Sequence, residues 1–406
     1  MTRRVVVTGV GCVSSLGVGA PALWDGLMLG QSAIALTRFA RGGLEAQFPA
    51  APVRGYAELD HFQPDELAMR DPFAQYAIVA AREAMRDAGP DNAYPDPAET
   101  GVILGNGSGG DGTREDAAIR LFGEKRLRCN PMLVPRTNSQ ASVGFVSMEF
   151  NATGPSLLIS TGCAAATHAV AQAYLMIRHG LARRVISGGS EASLRLSVLQ
   201  AFDAARVLSH TTCRPFSRDR DGMVISEGGG VVILEDLETA RKRGAPIYAE
   251  IAGVGMSADA HSSVHPSEAG PVQALRGALK TGQVDPEEVA YINAHGTGTQ
   301  VNDRVETRAI KSVFGAHARK LVVSSTKALH GHAFGAAGGI ELVATLLAMR
   351  HGVAPPTANY LGPDEECDLD YVPNSARPMK IGVAVKQSFA FGGLNAAVIL
   401  RRDIML

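Results

Sequence analysis

Short runs of Val and Ile that end in Gly, Ser or Thr alternate along this chain with Ala- and Leu-rich stretches of helical character. Such runs, too short for helices and bounded by turn residues, fit strands buried on both faces, and the alternation predicts a mostly parallel sheet covered by helices. The fold class is therefore α/β. Five runs come first: Arg4–Gly11, Gly101–Gly110, Pro155–Gly162, Arg184–Gly189 and Gly230–Asp236. Five more follow in the same order: Tyr248–Gly255, Tyr291–Thr299, Leu321–Lys327, Ile381–Ser388 and Asn395–Arg401. The repeat predicts a duplicated core divided near Arg243, into residues 1–243 and 244–406. A length of 406 residues suits two such units. The Pro/Gly-rich segment Gly89–Glu99 reads as surface insertion, and the charged stretch Asp111–Arg136 as cover for one face or a subunit contact.

Charge and cysteine usage narrow the function. Lys and Arg number 39 against 40 Asp and Glu, which argues against a broad footprint for nucleic acid or anionic membrane. No run approaches the roughly 18 apolar residues of a membrane span, and the N-terminus reads as a strand rather than a signal peptide, so a cytoplasmic protein is expected. Five cysteines, Cys12, Cys129, Cys163, Cys213 and Cys367, are odd in number and lack CxxC spacing. They suggest neither a disulfide framework nor a zinc site.

One of them is placed for chemistry. Cys163 follows the third run and opens the strong helix former Ala164–Arg178. At a helix N-terminus, unpaired N–H groups and the helix dipole favour thiolate, so a lowered thiol pKa is expected. On position alone the bland reading, a small buried hydrophobe, stays open. Three further segments favour the nucleophile. Asn293–Thr299 (NAHGTGT) sets His295 in a Gly/Thr loop past a strand end, where open α/β sheets build their sites. Ser324–His332 (SSTKALHGH) does the same for Lys327 and His332 in the second counterpart of the Cys-bearing unit. Ser388–Asn395 (SFAFGGLN) supplies a Gly loop whose backbone N–H suits an oxyanion hole.

In this order the four motifs resemble the β-ketoacyl-acyl-carrier-protein synthases, KAS II-like condensing enzymes of the thiolase-like superfamily, and the match runs from RRVVVTGVG to the last strand. The resemblance implies a five-layered αβαβα fold, with the nucleophilic Cys in one half and the His/His/Lys set in the other. It implies that Cys163 takes an acyl group from acyl carrier protein, with the N–H groups of Cys163 and Phe391 as oxyanion hole and Phe391 as gate. His295 and His332 then bind the malonyl thioester and stabilise the enolate as CO2 leaves. Lys327 is the supporting lysine, expected to be neutralised by Glu306 or Asp303. Thr297, Thr299 and Phe389 match substrate contacts. No cofactor or metal is implied, because the phosphopantetheine arm arrives on the carrier protein. A homodimer with third strands paired across the two-fold is expected, and a chain-length-factor partner stays open.

Several residues have plainer readings. His330 beside His332, and His261 with His265, have spacings that suggest a metal but sit on loops without suitable further ligands. His168 lies about 140° round the helix from Cys163 and reads as core or interface. The remaining cysteines read as structural. Departures from the family pattern fall near substrate: Gly162 and Ala164 flank the nucleophile, Ser108 stands at the expected acyl-pocket wall, and Val264 replaces a typical Thr. The segment Pro64–Met69 (PDELAM) lacks the basic residues that commonly grip an acidic carrier, leaving Arg206 and the run Lys125, Arg126, Arg128 as candidates for docking. Three rivals follow. A degradative thiolase would carry a second catalytic Cys, absent from SFAFGG; a non-catalytic partner subunit would lack Cys163; a specialised synthase for a polyene, polyketide or nodulation-type chain fits the departures.

Overall fold

The computed structural model describes residues 2–90 and 96–402. Residues 91–95, within the segment read as surface insertion, lie outside the described set. Ten strands, in chain order, span the main sheet: β1 (Val5–Ser14), β2 (Thr100–Gly105), β3 (Ser156–Ile159), β4 (Arg184–Glu191), β5 (Gly228–Asp236), β6 (Ala249–Ala258), β7 (Tyr291–Asn293), β8 (Val322–Ser324), β9 (Val383–Ala390) and β10 (Leu394–Arg401); a short strand Gly17–Val18 pairs beside β1, and a three-stranded and a two-stranded sheet lie apart. Read outward from the centre, one side runs β1-β5-β4-β2-β3 and the other β6-β10-β9-β7-β8. The order is the same in both, and an antiparallel pairing of Val5–Val7 in β1 with residues 249–251 in β6 joins the two sides.

The sheets are mixed rather than mostly parallel. Within each side the three outer strands pair in parallel and the two inner ones antiparallel. Val/Ile content reports burial, not direction. The connection does set direction: only residues 391–393 separate β9 from β10, and a link that short closes a hairpin.

A shared detail explains how helices lie so close to both inner strands. β1 and β6 each carry Gly-Val-Gly, at 9–11 and 253–255, just past a register irregularity. A Cβ at Gly11 would stand 2.0 Å from the Ala80 carbonyl oxygen of α1 (Pro72–Asp87), and one at Gly255 would stand 1.9 Å from that of Ala274 in α3 (Ala269–Gly282). Only glycine admits that approach.

Two helices fill the middle layer. The first, α2 (Ala165–Arg178), and the last, α6 (Ala337–His351), pack against strands of both sides. Every residue from Ala337 to Met349 is buried, as expected of a helix that is apolar nearly all round. The layers run helix, sheet, helix, sheet, helix. Between α3 and α6 lie α4 (Gln300–Phe314) and the single turn α5 (Lys327–His330). The two sheet edges differ. β8 is covered by the Val323 N–H donating to the Asp370 carbonyl at 2.8 Å, whereas β3 ends its side with Leu157 44% exposed.

Candidate active site

Cys163 sits in a tight turn, Gly162–Ala164, between β3 and α2. Gly162 has φ 55°, a left-handed conformation that glycine takes without strain, so this departure from the family pattern has a backbone reason. His168, one turn on, is buried and turned back under the loop: its Nδ1 lies 2.9 Å from Thr161 Oγ1 and 3.2 Å from the Ala164 carbonyl. It supports the nucleophile loop from behind.

A cavity of about 520 Å³ opens over Cys163. His295, His332, Thr297, Thr299, Phe389 and Phe391 line it, and Arg206, Val264 and His265 border it. Lys327 lies beneath, fully buried. Ser108, Lys125, Arg126 and Arg128 are not among its lining residues. The Ser108 hydroxyl is held by Glu191 Oε1 at 3.0 Å and Ser193 Oγ at 2.9 Å, and Arg126 pairs with Glu124 at 3.1 Å.

The two imidazoles stand edge to face, ring centroids 5.5 Å apart, with Phe389 5.7 Å from His295. Both nitrogens of His332 and Nδ1 of His295 are buried without a hydrogen-bond partner in the chain. Buried polar atoms are nearly always satisfied, so nitrogens left open beside a cavity are free to take a ligand oxygen as partner. Burial first, then the charge of Lys327, holds both rings well below the usual histidine range, which leaves them neutral. A neutral imidazole can donate to a carbonyl oxygen that is becoming an enolate.

The His295 loop is clamped at both backbone poles. Glu306 accepts the His295 N–H at 2.6 Å and the Gly296 N–H at 2.7 Å, while Lys327 Nζ donates to the His295 carbonyl at 2.6 Å. Asp303 instead accepts the Phe216 N–H at 2.7 Å and lies 3.7 Å from Arg220. Neither carboxylate neutralises Lys327, contrary to the expectation from sequence. That partner is Glu341, on α6, whose Oε1 accepts from Lys327 Nζ. Sequence reasoning missed it, although a lone Glu within the apolar run AGGIELVATLL was the available signal.

The thiol also departs from expectation. Burial pushes Cys163 up to about 12, with Lys327 and its own backbone N–H working the other way. Position at a helix start does not outweigh removal from water. Behind the nucleophile loop lies a further buried carboxylate, Glu191, which accepts the Gly107 N–H at 2.6 Å and the Gly335 N–H at 3.1 Å. Burial raises it to about 7 against these donors and Ser108.

Among the described residues, no three His, Cys, Asp or Glu side chains cluster as a metal site, and no helix is long and apolar enough to cross a membrane.

With a thiol, two neutral imidazoles and a buried lysine converging on one cavity, the geometry is that of a condensing enzyme. The family models for the β-ketoacyl synthase N-terminal and C-terminal domains match residues 2–240 and 248–361. The chain belongs to the β-ketoacyl synthase family, acyltransferases that need no cofactor of their own. It is 43% identical to Nodulation protein E of Rhizobium sp. (strain N33), over 99% of this chain and 100% of that protein. It is 40% identical to 3-oxoacyl-[acyl-carrier-protein] synthase 2 of Coxiella burnetii (strain RSA 493 / Nine Mile phase I), over 98% and 99%. Among solved structures, the ishigamide ketosynthase/chain length factor matches with TM-score 0.91 at 31% identity, covering 99% of both chains. A type II polyketide ketosynthase bound to its acyl-carrier protein matches with TM-score 0.88 at 33%, covering 100% of both. The thiolase-like architecture expected from sequence is the one these neighbours share.

Proposed function

We propose that the chain condenses an acyl group with a malonyl unit, both carried on acyl carrier protein, with Cys163 as nucleophile. Cys163 Sγ attacks the acyl thioester, and the carrier thiol leaves with the proton. The malonyl C–C bond to the carboxylate then breaks, releasing CO2. His295 and His332 donate to the resulting enolate oxygen. The enolate carbon attacks the acyl-Cys163 carbonyl, and the sulfur leaves as thiolate, yielding a 3-oxoacyl carrier thioester two carbons longer. The cavity that unites Cys163 with the unpartnered imidazole nitrogens carries this reading. Phe391, 47% exposed at the turn Phe391–Gly393, suits the gate and oxyanion roles, while Thr297 and Thr299, hydroxyls 2.9 Å apart, suit contacts to the pantetheine arm.

The division into 1–243 and 244–406 is supported by the identical strand order. Exposed Arg206, with φ 56° at the cavity rim, suits carrier docking better than Lys125, Arg126 and Arg128. A homodimer fits the open edge of β3, and the cytoplasm fits the carrier-borne substrates. The nodulation-protein relatives, at 43% and 40% identity, favour a second reading: a specialised acyl chain in place of housekeeping elongation. Incubation with acyl- and malonyl-carrier proteins, followed by mass spectrometry, tests the first reading: a product two carbons longer with CO2 release is expected, and hydrolysis without elongation would sink it. The chain length and unsaturation accepted decide the second.

A further inference from the structure

The mechanism above leaves a second buried lysine unused. Lys386, on β9, is 1% exposed. Its Nζ donates to the Gln387 carbonyl, lies 3.0 Å from Ser388 Oγ, and stands 2.9 Å from Glu341 Oε2. Since Lys327 holds Oε1, one carboxylate bridges two ammonium groups. A buried lysine is costly to maintain, and one carboxylate does not neutralise two. The arrangement touches every element that carries the site. Ser388 Oγ meets Thr167 Oγ1 at 2.8 Å, one turn beyond Cys163 on α2. Gln387, pointing to the opposite face of β9, donates to Glu306 at 2.6 Å, and Glu306 clamps the His295 loop.

We propose that Lys386 is a positioning residue of the condensation site, a second buried cation that shares Glu341 with Lys327 and, through Lys327 and its bond to the His295 carbonyl, sets the charge facing the His295 and His332 loops. The titratable and charged groups around it are Glu341 from α6, Lys327 and His330 from α5, Glu306 from α4, and the two histidines. Lys386 adds the last and smallest contribution to the unfavourable field at both imidazoles, after burial, Lys327 and the neighbouring histidine of each ring. An imidazole kept neutral at working pH remains a hydrogen-bond donor to the malonyl thioester without trapping the product enolate as an ion pair. The inference rests on the assignment of His295 and His332 to the decarboxylation step.

Two readouts separate it from that assignment: ring resonances of His295 and His332 followed by NMR against pH, and CO2 release from malonyl-carrier protein over the same range. In Lys386→Met both rings are expected to titrate higher than in wild type by up to about one unit, the scale of a unit charge about 12 Å away at an effective dielectric near 20. The acidic limb of CO2 release should move with them, and Lys386→Arg should restore both. Should Lys386→Met not fold, Lys386→Gln gives the same comparison. Ring titrations within 0.2 units of wild type in the folded variant would overturn the proposal, whatever the rate. Shifted rings with an unmoved CO2 limb would instead remove the histidines from the decarboxylation step while leaving the electrostatic role of Lys386 intact.

Discussion

The corner after the third strand is built twice in this molecule, with opposite contents. After β3 it holds Cys163, small neighbours and the start of α2; after β8 it holds Lys327, His330 and His332. The carboxylates behind the two sides differ as well. Glu191 is surrounded by neutral donors and sits at about 7, whereas Glu341 lies between two lysines that outweigh its burial and hold it at about 2. One backbone plan thus carries an uncharged corner that can receive an acyl group and an ionic one that can steady a developing negative charge. The strand order fixes where loops converge, and the side chains decide what each convergence does.

The largest effect should come from the ionic side. His332→Ala should lower CO2 release from malonyl-carrier protein by about 100-fold or more, the usual range for a donor of this kind. Steady-state rates at saturating substrate check this; a loss under tenfold would place the proton-donating work elsewhere. Next comes stability. Glu341→Gln strands Lys327 and Lys386 without their shared partner and should cost about 3–5 kcal/mol, while Glu191→Gln leaves unmatched donors and should cost only about 1–3 kcal/mol. Urea unfolding of both variants at pH 7.5 gives the order, and equal costs would erase the contrast.

The pH dependence carries the same contrast with opposite signs. Glu341 is depressed below its ordinary value near 4.5, so its stabilisation is present above that pH and lost as pH falls towards about 2. Glu191 is raised, so its contribution is full below about 4.5 and lost as pH rises through about 7. Unfolding free energies across pH 3 to 8 should therefore lose their alkaline slope in Glu191→Gln and their acid slope in Glu341→Gln. The smallest effect belongs to the rim. Arg206→Glu should raise KM for carrier-borne substrate by several-fold at low salt and less at high salt, with Arg128→Glu closer to wild type. A salt-independent change would argue for altered loop shape instead.

Much of this was legible in the chain because it depends on local pattern. All ten Val/Ile runs overlap these ten strands, although the runs at 101–110, 155–162, 291–299 and 321–327 are clearly shorter as strands than as sequence segments. Cys163, His295, His332 and Phe391, each singled out by a motif, line one cavity. What escaped depends on distance. Glu341 lies 14 residues from Lys327 on another helix, and Lys386 reaches the same carboxylate from a strand; no spacing in the sequence signals that triad. The thiol was misjudged for a related reason. Its position at a helix start is written in the sequence, but its depth below the surface is a property of the packed layers.

The two corners divide the labour, acyl transfer at one and charge stabilisation at the other, and intact-protein mass spectrometry after incubation with acyl-carrier protein tests that division most directly. Wild type and His332→Ala should each gain the mass of one acyl group, and Cys163→Ala none. Acylation that persists in Cys163→Ala, or vanishes in folded His332→Ala, would contradict it.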